Sequence, residues 1–254
     1  MTRTVCVSGS ESGIGRALTA RLREDGQRVI GIDLHDADVV ADLSHPDGRA
    51  AAVAGVLEQC EGRLDGLAAI AGVGPQVGSV AQVTVNYFGA VALLDGLFEA
   101  LQTGDAPAAL VASSIAATVA PCDEAIVAAA LAGDEALAVE LAGSLADAGV
   151  GYSTSKRALA IAARTRAMEW IASGVRLNAL APGNTMTALT AGALADPVFK
   201  VAMEAVPVPR GSWAEPEEIA SAAAWMLSPE ASYLVGSFLV IDGGTDALVR
   251  PTAF

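Results

Sequence analysis

The fold is decided by the stretch Val5-Cys6-Val7-Ser8-Gly9-Ser10-Glu11-Ser12-Gly13-Ile14-Gly15, in which an apolar run leads into a glycine-rich turn. Helix-forming residues follow, so the stretch predicts a β-strand, a tight turn and an α-helix. Glycines let the backbone approach a pyrophosphate, and a helix N-terminus offers free N–H groups and partial positive charge. The spacing is G-x-x-x-G-x-G rather than the commoner G-x-G-x-x-G. The turn therefore indicates either a nucleotide site or simply a tight β-α connection.

Further along the chain, apolar strand-like runs alternate with helical stretches, which is typical of β-α-β units and a buried parallel sheet. The predicted strands are residues 4–8, 29–33, 66–71, 108–113, 176–181 and 237–241. The predicted helices are residues 15–25, 48–61, 84–103, 153–173 and 215–227. At 254 residues, the chain is expected to form one α/β domain over residues 1–254.

The segment 116–149 interrupts this alternation. It predicts two short alanine-rich helices, with Asp123 and Asp134 as N-caps and Gly133 as the residue that separates them. Its large apolar residues outnumber what an isolated surface excursion should expose: Ile126, Val127, Leu131, Leu137, Leu141 and Leu145. We expect the segment to pack on the body of the domain, on a partner subunit or on a substrate.

The composition excludes several classes of function. A formal net charge of −14 argues against nucleic acid as a partner and disfavours an anionic membrane surface. Cys6, Cys60 and Cys122 are few and widely spaced, which is typical of reduced thiols in a cytosolic protein. His35 and His45 are the only histidines, so no metal site is expected.

Two features bear on localisation. Residues 1–4 lead directly into a strand-like run, so no signal peptide is expected. The uncharged run 66–94 is long enough to span a bilayer, but its five glycines and Pro75 favour a strand, a loop and a helix instead. The sequence predicts a soluble, cytoplasmic protein.

The second predicted strand ends in Asp33, 18 residues after Gly15. A carboxylate at this position can accept hydrogen bonds from the adenosine ribose hydroxyls and would repel a 2′-phosphate, which favours NAD(H) over NADP(H). The alternative is an ordinary strand-end aspartate. Asp42-Leu43 is a further candidate for the adenine edge, although a lone acid is more often just solvated.

Tyr152 and Lys156 are four residues apart in a predicted helix, so they lie about one turn apart on one face. A fixed cation favours phenolate and is expected to lower the pKa of Tyr152, which would suit a general acid/base. The same spacing also occurs by chance in many helices. The pair carries a function only if the rest of the chain supports it.

Five motifs occur in one order: the glycine turn, the strand-end Asp33, Ser113-Ser114 after a central strand, Tyr152 with Lys156, and Ala181-Pro182-Gly183. With the closing Ile241-Asp242-Gly243-Gly244, they resemble the short-chain dehydrogenases/reductases over essentially the whole chain. The resemblance implies a doubly wound parallel sheet of the Rossmann type. Within this family, the chain is most similar to the bacterial hydroxysteroid dehydrogenase/carbonyl reductase branch. The similarity rests on the sequence segments 71–76, 85–90 and 250–254 and on the long spacing from Ser114 to Tyr152.

This resemblance implies four catalytic roles. Tyr152 would be the general acid/base, and Lys156 would lower its pKa and hold the nicotinamide ribose. Ser114 would hydrogen-bond the substrate oxygen, and Asn86 would support a water-mediated proton relay through Lys156. From the residues alone, Ser114 is also consistent with a strand-end serine, and Asn86 with a polar residue that bends a helix.

The resemblance also implies the contacts to NAD(H): Gly9, Ser12, Gly13, Ile14, Asp33, Asp42, Leu43, Ala71, Gly72, Tyr152, Lys156, Pro182, Gly183, Thr185 and Thr187. One family pattern is missing, because Ala69-Ile70 stands where two asparagines are common. Side-chain contacts from these two positions are therefore not expected.

Two segments depart from or extend the family pattern. Segment 116–149 corresponds to a helical insertion, which is expected to block a dimer-of-dimers seam and to leave a homodimer, with a homotetramer as the alternative. Segment 186–213 is apolar, and it predicts either a helical hairpin packed on the core or a lid that covers a bulky hydrophobic substrate.

These features predict an NAD(H)-dependent oxidoreductase that interconverts a hydrophobic secondary alcohol and a ketone. The resemblance implies a 3α-hydroxysteroid and 3-ketosteroid, or a related lipophilic carbonyl. One alternative is a reductase acting on a sugar alcohol, an acyl chain or a xenobiotic ketone. Another is a catalytically silent NAD-binding sensor, which should have lost part of the set formed by Asn86, Ser114, Tyr152 and Lys156.

Overall fold

The strands form one parallel sheet in the computed structural model, which describes residues 2–253, apart from the side chain of Val198. Its order is β3-β2-β1-β4-β5-β6-β7. The strands are Thr4–Ser8 (β1), Arg28–Asp33 (β2), Val39–Val40 (β3), Gly66–Ala69 (β4), Ala108–Ala112 (β5), Arg176–Pro182 (β6) and Phe238–Ile241 (β7). The order reverses between β1 and β4, and the crevice at such a point is where open α/β sheets bind ligands. Met1 and Phe254, at the ends of the predicted domain, lie outside the described residues.

Helices cover both faces of this sheet. They are Gly13–Glu24 (α1), Pro46–Cys60 (α2), Ser79–Ala81 (α3), Ala90–Gln102 (α4), Ala116–Val119 (α5), Glu124–Leu131 (α6), Glu135–Gly143 (α7), Ala148–Ala172 (α8), Ala188–Ala195 (α9), Pro197–Glu204 (α10), Pro216–Leu227 (α11) and Thr245–Val249 (α12). Short 3₁₀ turns occur at Pro75–Val77 and Pro229–Ala231. The predicted doubly wound arrangement is confirmed.

The core lies in two layers, one on each face of the sheet. Cys6 and Leu67 belong to the layer under α2, α4 and α8, whereas Val5 and Val7 face the layer under α1 and α11. Residues of a strand point alternately to the two faces, so a strand covered on both sides reads as a continuous apolar run. For this reason the six predicted strands are confirmed, each to within two residues at either end. Strand β3 was not predicted.

The helix before α4 has an unusual centre. Ser79–Ala81, Gln82–Gly89 and Ala90–Gln102 run on continuously, and the middle stretch is a π-helix, where an α-helix was predicted over 84–103. The continuous helix is long and apolar enough to cross a membrane by length and composition, with 56% of the tested window buried in the protein. A buried core helix passes the same test, so this is weak evidence for a membrane span.

Segment 116–149 contains the two predicted capped helices. The Asp123 carboxylate accepts hydrogen bonds from the backbone N–H groups of Ala125 and Ile126 at 2.9 and 3.0 Å. The Asp134 carboxylate accepts one from Leu137 N–H at 3.0 Å. Gly133 separates the helices with a positive φ of 75°, which glycine adopts without strain. Both caps are confirmed, and the short helix α5 was not predicted.

These helices pack mainly on the body of the domain. Ile126 and Val127 are buried in the core layer under α8, and Leu141 and Leu145 pack against it. Leu131 and Leu137 remain 40% and 42% exposed. The Thr154 hydroxyl of α8 accepts a hydrogen bond from Asp123 N–H at 2.9 Å, so the segment is tied to the helix that carries Tyr152.

Replacing Asp123 by Ala should lower the free energy of unfolding by about 1 kcal/mol, because two N–H groups at the start of α6 lose their acceptor. Urea unfolding would measure the change. Asp25→Ala, at an exposed C-cap, is the control and should have a much smaller effect. Equal losses in the two variants would contradict a capping role for Asp123.

Candidate active site

Tyr152 and Lys156 lie in the first half of α8, which Asp147 caps through a 2.7 Å hydrogen bond from Gly149 N–H. The Lys156 ammonium is buried and donates to the carbonyl oxygen of Ala112, the last residue of β5, at 2.7 Å. Its nitrogen is 5.9 Å from the centroid of the Tyr152 ring. The helical spacing thus brings phenol and ammonium together, as predicted.

Burial dominates the acid–base properties of this pair. It raises the pKa of Tyr152, and a hydrogen bond with the Ser114 hydroxyl opposes that rise. Burial lowers the pKa of Lys156 to about 8. The expectation that Lys156 lowers the pKa of Tyr152 below its ordinary value is wrong for this geometry. The ammonium is bonded to the Ala112 carbonyl, and desolvation of the phenolate is the largest influence on the Tyr152 pKa.

Ser114 and Ser113 follow β5 and have different tasks. The Ser114 hydroxyl is close enough to Tyr152 to hydrogen-bond the phenol, and its oxygen accepts from Ala116 N–H at 3.2 Å. The buried Ser113 hydroxyl donates instead to the backbone carbonyl of Lys156 at 2.8 Å. Ser113 therefore fixes the turn of α8 that carries Lys156, a role that the sequence pattern did not indicate.

Asn86 is completely buried in the π-helical stretch, a kind of local structure that is frequent at functional sites. Its side-chain oxygen accepts from Val73 N–H at 2.7 Å, and its amide donates to the Val73 carbonyl and the Ser155 hydroxyl, both at 3.1 Å. Asn86 therefore connects the loop after β4 to α8. Both ends of its amide group have partners within the protein.

Gly72 is the point at which Asn86 and Lys156 converge. A Cβ atom built on Gly72 would lie 3.0 Å from the Asn86 side-chain oxygen and 3.1 Å from the Lys156 nitrogen. Any side chain here would press on both groups. The glycine thus lets the loop backbone run directly beside them.

A cavity of about 280 Å³ opens at the carboxyl ends of β1, β2 and β4. Ten predicted cofactor contacts line it: Gly9, Ser12, Gly13, Ile14, Asp33, Asp42, Leu43, Ala71, Gly72 and Thr187. At its glycine turn a Cβ on Gly15 would lie 2.0 Å from the carbonyl oxygen of Gly9, so helix and turn approach too closely for any other residue. This is the bare backbone that close approach of a pyrophosphate requires.

The acidic residues of this cavity are held by the backbone. The Asp33 carboxylate accepts from Glu11 N–H at 3.0 Å and from Leu34 N–H at 2.7 Å. The side chain and backbone N–H of Ser44 hydrogen-bond the Asp42 carboxylate and hold the pKa of that group below its usual range. Asp42 is largely exposed, whereas Leu43 is buried. Both carboxylates are therefore held in a fixed orientation by backbone N–H groups.

A second, mainly apolar cavity of about 380 Å³ adjoins the first. The predicted residues Ser114, Tyr152, Lys156, Pro182, Gly183 and Thr185 are among those that line it. Gly72, Ile14 and Thr187 border both cavities. The Thr187 hydroxyl also caps α9 by accepting from Thr190 N–H at 3.2 Å. The Thr185 hydroxyl donates to the Gly183 carbonyl at 3.0 Å.

Helices α9 and α10, in the segment predicted to be either a packed helical hairpin or a lid, contribute to the wall of the apolar cavity. Four large apolar side chains of this segment line the cavity: Leu189, Phe199, Met203 and Val206. Met186, Leu194 and Trp213, which also belong to the predicted apolar face, do not. Among the cavity-lining residues that sequence reasoning missed are Leu34, Ile70, Val73, Val85, Val119 and Ala120. They are ordinary apolar residues, and only the fold brings them together.

Comparison with known proteins agrees with this arrangement. A family model described as enoyl-(acyl carrier protein) reductase matches residues 147–246, and known relatives align with nearly the whole chain. The chain belongs to the short-chain dehydrogenase/reductase family and is an oxidoreductase.

Two relatives are similar along their full length. The 3-alpha-hydroxysteroid dehydrogenase/carbonyl reductase of Comamonas testosteroni is 44% identical over 98% of this chain and 99% of its own. The 3-alpha-hydroxysteroid dehydrogenase from Pseudomonas sp. B-0831, solved in complex with NADH, is 47% identical with a TM-score of 0.97. That similarity covers 99% of this chain and 100% of the other.

A more distant relative is named for a different activity. A putative NAD(P)-dependent gluconate 5-dehydrogenase from Beutenbergia cavernae is 27% identical with a TM-score of 0.74. It covers 96% of this chain, and 97% of its own chain is covered. The same fold therefore accommodates polar as well as steroid substrates.

The pKa of Lys156 leads to a prediction about stability. In the unfolded chain this pKa is 10.5 and in the folded chain about 8. Between these values the unfolded state binds the proton more strongly, so folding becomes more favourable as pH rises. Lys156→Met lacks this dependence. The free energy of unfolding of Lys156→Met minus that of wild type should therefore decrease by about 3 kcal/mol from pH 8 to pH 10.5.

Urea unfolding of both proteins across this pH range would measure the difference. Lys200→Met removes an exposed lysine and is the matched control, whose difference from wild type should stay constant. A constant difference for Lys156→Met as well would show that the lysine titrates normally in the folded protein.

Proposed function

We propose that the protein interconverts a hydrophobic secondary alcohol and a ketone with NAD(H), and that the substrate is a 3α-hydroxysteroid or its 3-ketosteroid. One observation carries the proposal. Ser114 and Tyr152, joined by a hydrogen bond, line the apolar cavity together with Lys156, and this cavity adjoins the one lined by the glycine turn. A substrate oxygen at this junction would face both hydroxyls.

The residues of the first cavity fit a nicotinamide dinucleotide. The turn at Gly9 to Gly15 would hold the pyrophosphate, Asp33 the adenosine ribose, and Asp42 and Leu43 the adenine edge. The carboxylate of Asp33 is held by two backbone N–H groups and would repel a 2′-phosphate, which favours NAD(H) over NADP(H). When bound, the cofactor supplies or accepts the hydride.

Side chains of the protein carry out the proton transfer to and from the substrate oxygen. Ser114 donates a hydrogen bond to the substrate oxygen and so polarises the carbonyl. Tyr152 donates its phenolic proton to that oxygen during reduction and takes it back during oxidation. Burial keeps Tyr152 protonated at neutral pH, which suits the acid step.

Lys156 is suited to transferring a proton between the Tyr152 phenol and solvent. With a pKa of about 8, its side chain can release a proton as the ammonium and take one up again as the amine near neutral pH. Asn86 holds the loop beside Lys156 through its bonds to Val73. We propose that a water chain on this side carries the proton to solvent.

The shape and polarity of the second cavity support a lipophilic substrate. Its walls are formed by apolar side chains of α5, α9 and α10, and its reactive hydroxyls lie at one end. A sugar alcohol would leave hydroxyl groups without partners along these walls. The complete set of Asn86, Ser114, Tyr152 and Lys156 argues against a silent NAD-binding sensor. The enoyl reductase description of the family model makes an acyl chain the alternative substrate.

We further propose that the protein acts in the cytoplasm as a homodimer. Its three cysteines are free thiols, as expected in a reducing compartment. The edge strand β7 is only half-buried along its length; the 42% exposed Trp225 lies in α11 and the fully exposed Tyr233 in the turn between α11 and β7. Light scattering in solution would distinguish a dimer from a tetramer.

Tyr152→Phe should reduce NADH formation with a 3α-hydroxysteroid by about 10²- to 10⁴-fold, the usual contribution of a general acid/base. Ring packing is retained, so the melting temperature should change little. Tyr233→Phe removes a hydroxyl at a fully exposed site and should leave the rate unchanged. Equal rates for wild type and Tyr152→Phe would refute the proposed mechanism. A panel with acyl and sugar substrates would test the substrate class separately.

Asp33→Ala should raise the ratio of NADP to NAD activity by at least about tenfold, since the repulsion of the 2′-phosphate and the ribose hydrogen bonds are both lost. The measurement is kcat/KM for each cofactor with one alcohol. Asp36→Asn, at a nearby residue outside the cavity, should not change the ratio. A wild-type enzyme that prefers NADP would overturn this interpretation of Asp33.

A further inference from the structure

Arg49 is a buried cation that the catalytic mechanism does not use. It lies in the first turn of α2, with a side chain only 7% exposed, and its guanidinium makes two hydrogen bonds to the Glu135 carboxylate, at 2.7 and 2.8 Å. Glu135 is the first residue of α7, in segment 116–149. A bidentate pair of this kind fixes both position and orientation, which a lysine could not do.

The remaining donors of Arg49 reach the adenine side of the cofactor cavity. Its Nε donates to the Leu43 carbonyl at 2.8 Å, and Nη2 donates to the carbonyls of Ser44 and Thr84, both at 3.1 Å. The guanidinium also lies 5.8 Å from the centroid of the Phe88 ring. One side chain therefore joins α7, the π-helical stretch and the loop that carries Leu43.

Leu43 is held between these elements. A Cβ built on Gly89, at the end of the π-helical stretch, would lie 3.0 Å from the Leu43 Cβ. A Cβ on Gly48, in the first turn of α2, would lie 1.9 Å from the carbonyl oxygen of Asp42. The loop is thus packed tightly on two sides, and Arg49 fixes its carbonyl groups. Its inner surface, Asp42 and Leu43, lines the cavity.

We propose that Arg49 and Glu135 are positioning residues through which α7 sets the adenine wall of the cofactor cavity. This rests on the proposed function, because it assigns Asp42 and Leu43 to the adenine edge. Without Glu135, the guanidinium keeps a buried charge that lacks its counterion, and it must move toward another acceptor or toward water. The carbonyls of Leu43 and Ser44 lose their fixed donor, and the wall loosens. The catalytic end is untouched.

The test compares Glu135→Gln and Arg49→Lys with wild type. Glu135→Gln keeps the shape of the side chain but removes its charge. Arg49→Lys keeps the charge but removes the two-pronged guanidinium that makes the bidentate pair. Both should raise the dissociation constants of NADH and of AMP by about fivefold, as expected when a residue acts through a neighbour. The kcat at saturating NAD should stay within about twofold, because Ser114, Tyr152 and Lys156 keep their contacts.

Asp95→Asn is the matched control, since it breaks the ion pair with Arg166, away from both cavities. It should leave the affinity for AMP unchanged. A purely structural role for Arg49 and Glu135 would lower the melting temperature without changing AMP affinity in the folded fraction, and this result would overturn the proposal. If wild type binds neither AMP nor NADH, the proposed function fails together with it.

Hydrogen exchange on the wild-type protein provides a test that needs no variant. Coupling between two sites is reciprocal. AMP should therefore slow amide exchange in residues 134–138 of α7 as well as in residues 42–45. Protection of 42–45 with unchanged exchange at 134–138 would overturn the proposal even if both variants failed to fold.

Discussion

The site depends on the burial of one ammonium group. Lys156 donates to the carbonyl of Ala112, and the cost of removing its charge from water is what brings its pKa to about 8. The surrounding structure is arranged to hold this group at a fixed point: Ser113 bonds its backbone, and Gly72 leaves space for the loop beside it. Strand β5, helix α8 and the loop after β4 thus meet at one nitrogen atom.

The two cavities share a wall but differ in the kind of residues that line them. Backbone features dominate the first cavity, which is lined by glycines and by the carboxylates of Asp33 and Asp42. Large apolar side chains such as Phe199 and Met203 dominate the second. Thr187 belongs to both, because it caps α9 and lies against the glycine turn near Gly13. Thr187 therefore connects the glycine turn to the start of α9, one of the helices that line the second cavity.

Much of this could be predicted from the sequence, for physical reasons that also explain the failures. Strands buried on both faces appear as continuous apolar runs, and caps such as Asp123 act locally, so both were found. Strand β3 has two residues, Val39 and Val40, and leaves no pattern. The predicted pKa of Tyr152 was wrong because spacing reveals the neighbouring cation but not the desolvation. Apolar cavity residues such as Val119 have no local signal, since remote elements select them.

The π-helical stretch limits how the chain can change in length. A helix of this kind holds one residue more than an α-helix in the same rise, and each residue rotates the rest of the helix by about 100°. Asn86 faces Val73 on one side, and Gly89 meets Leu43 three residues later. Deleting one residue between positions 82 and 89 would restore regular α-helical geometry. The rotation would then break either the contact of Asn86 with Val73 or that of Gly89 with Leu43. Sequence drift can replace residues here, but it can hardly delete them.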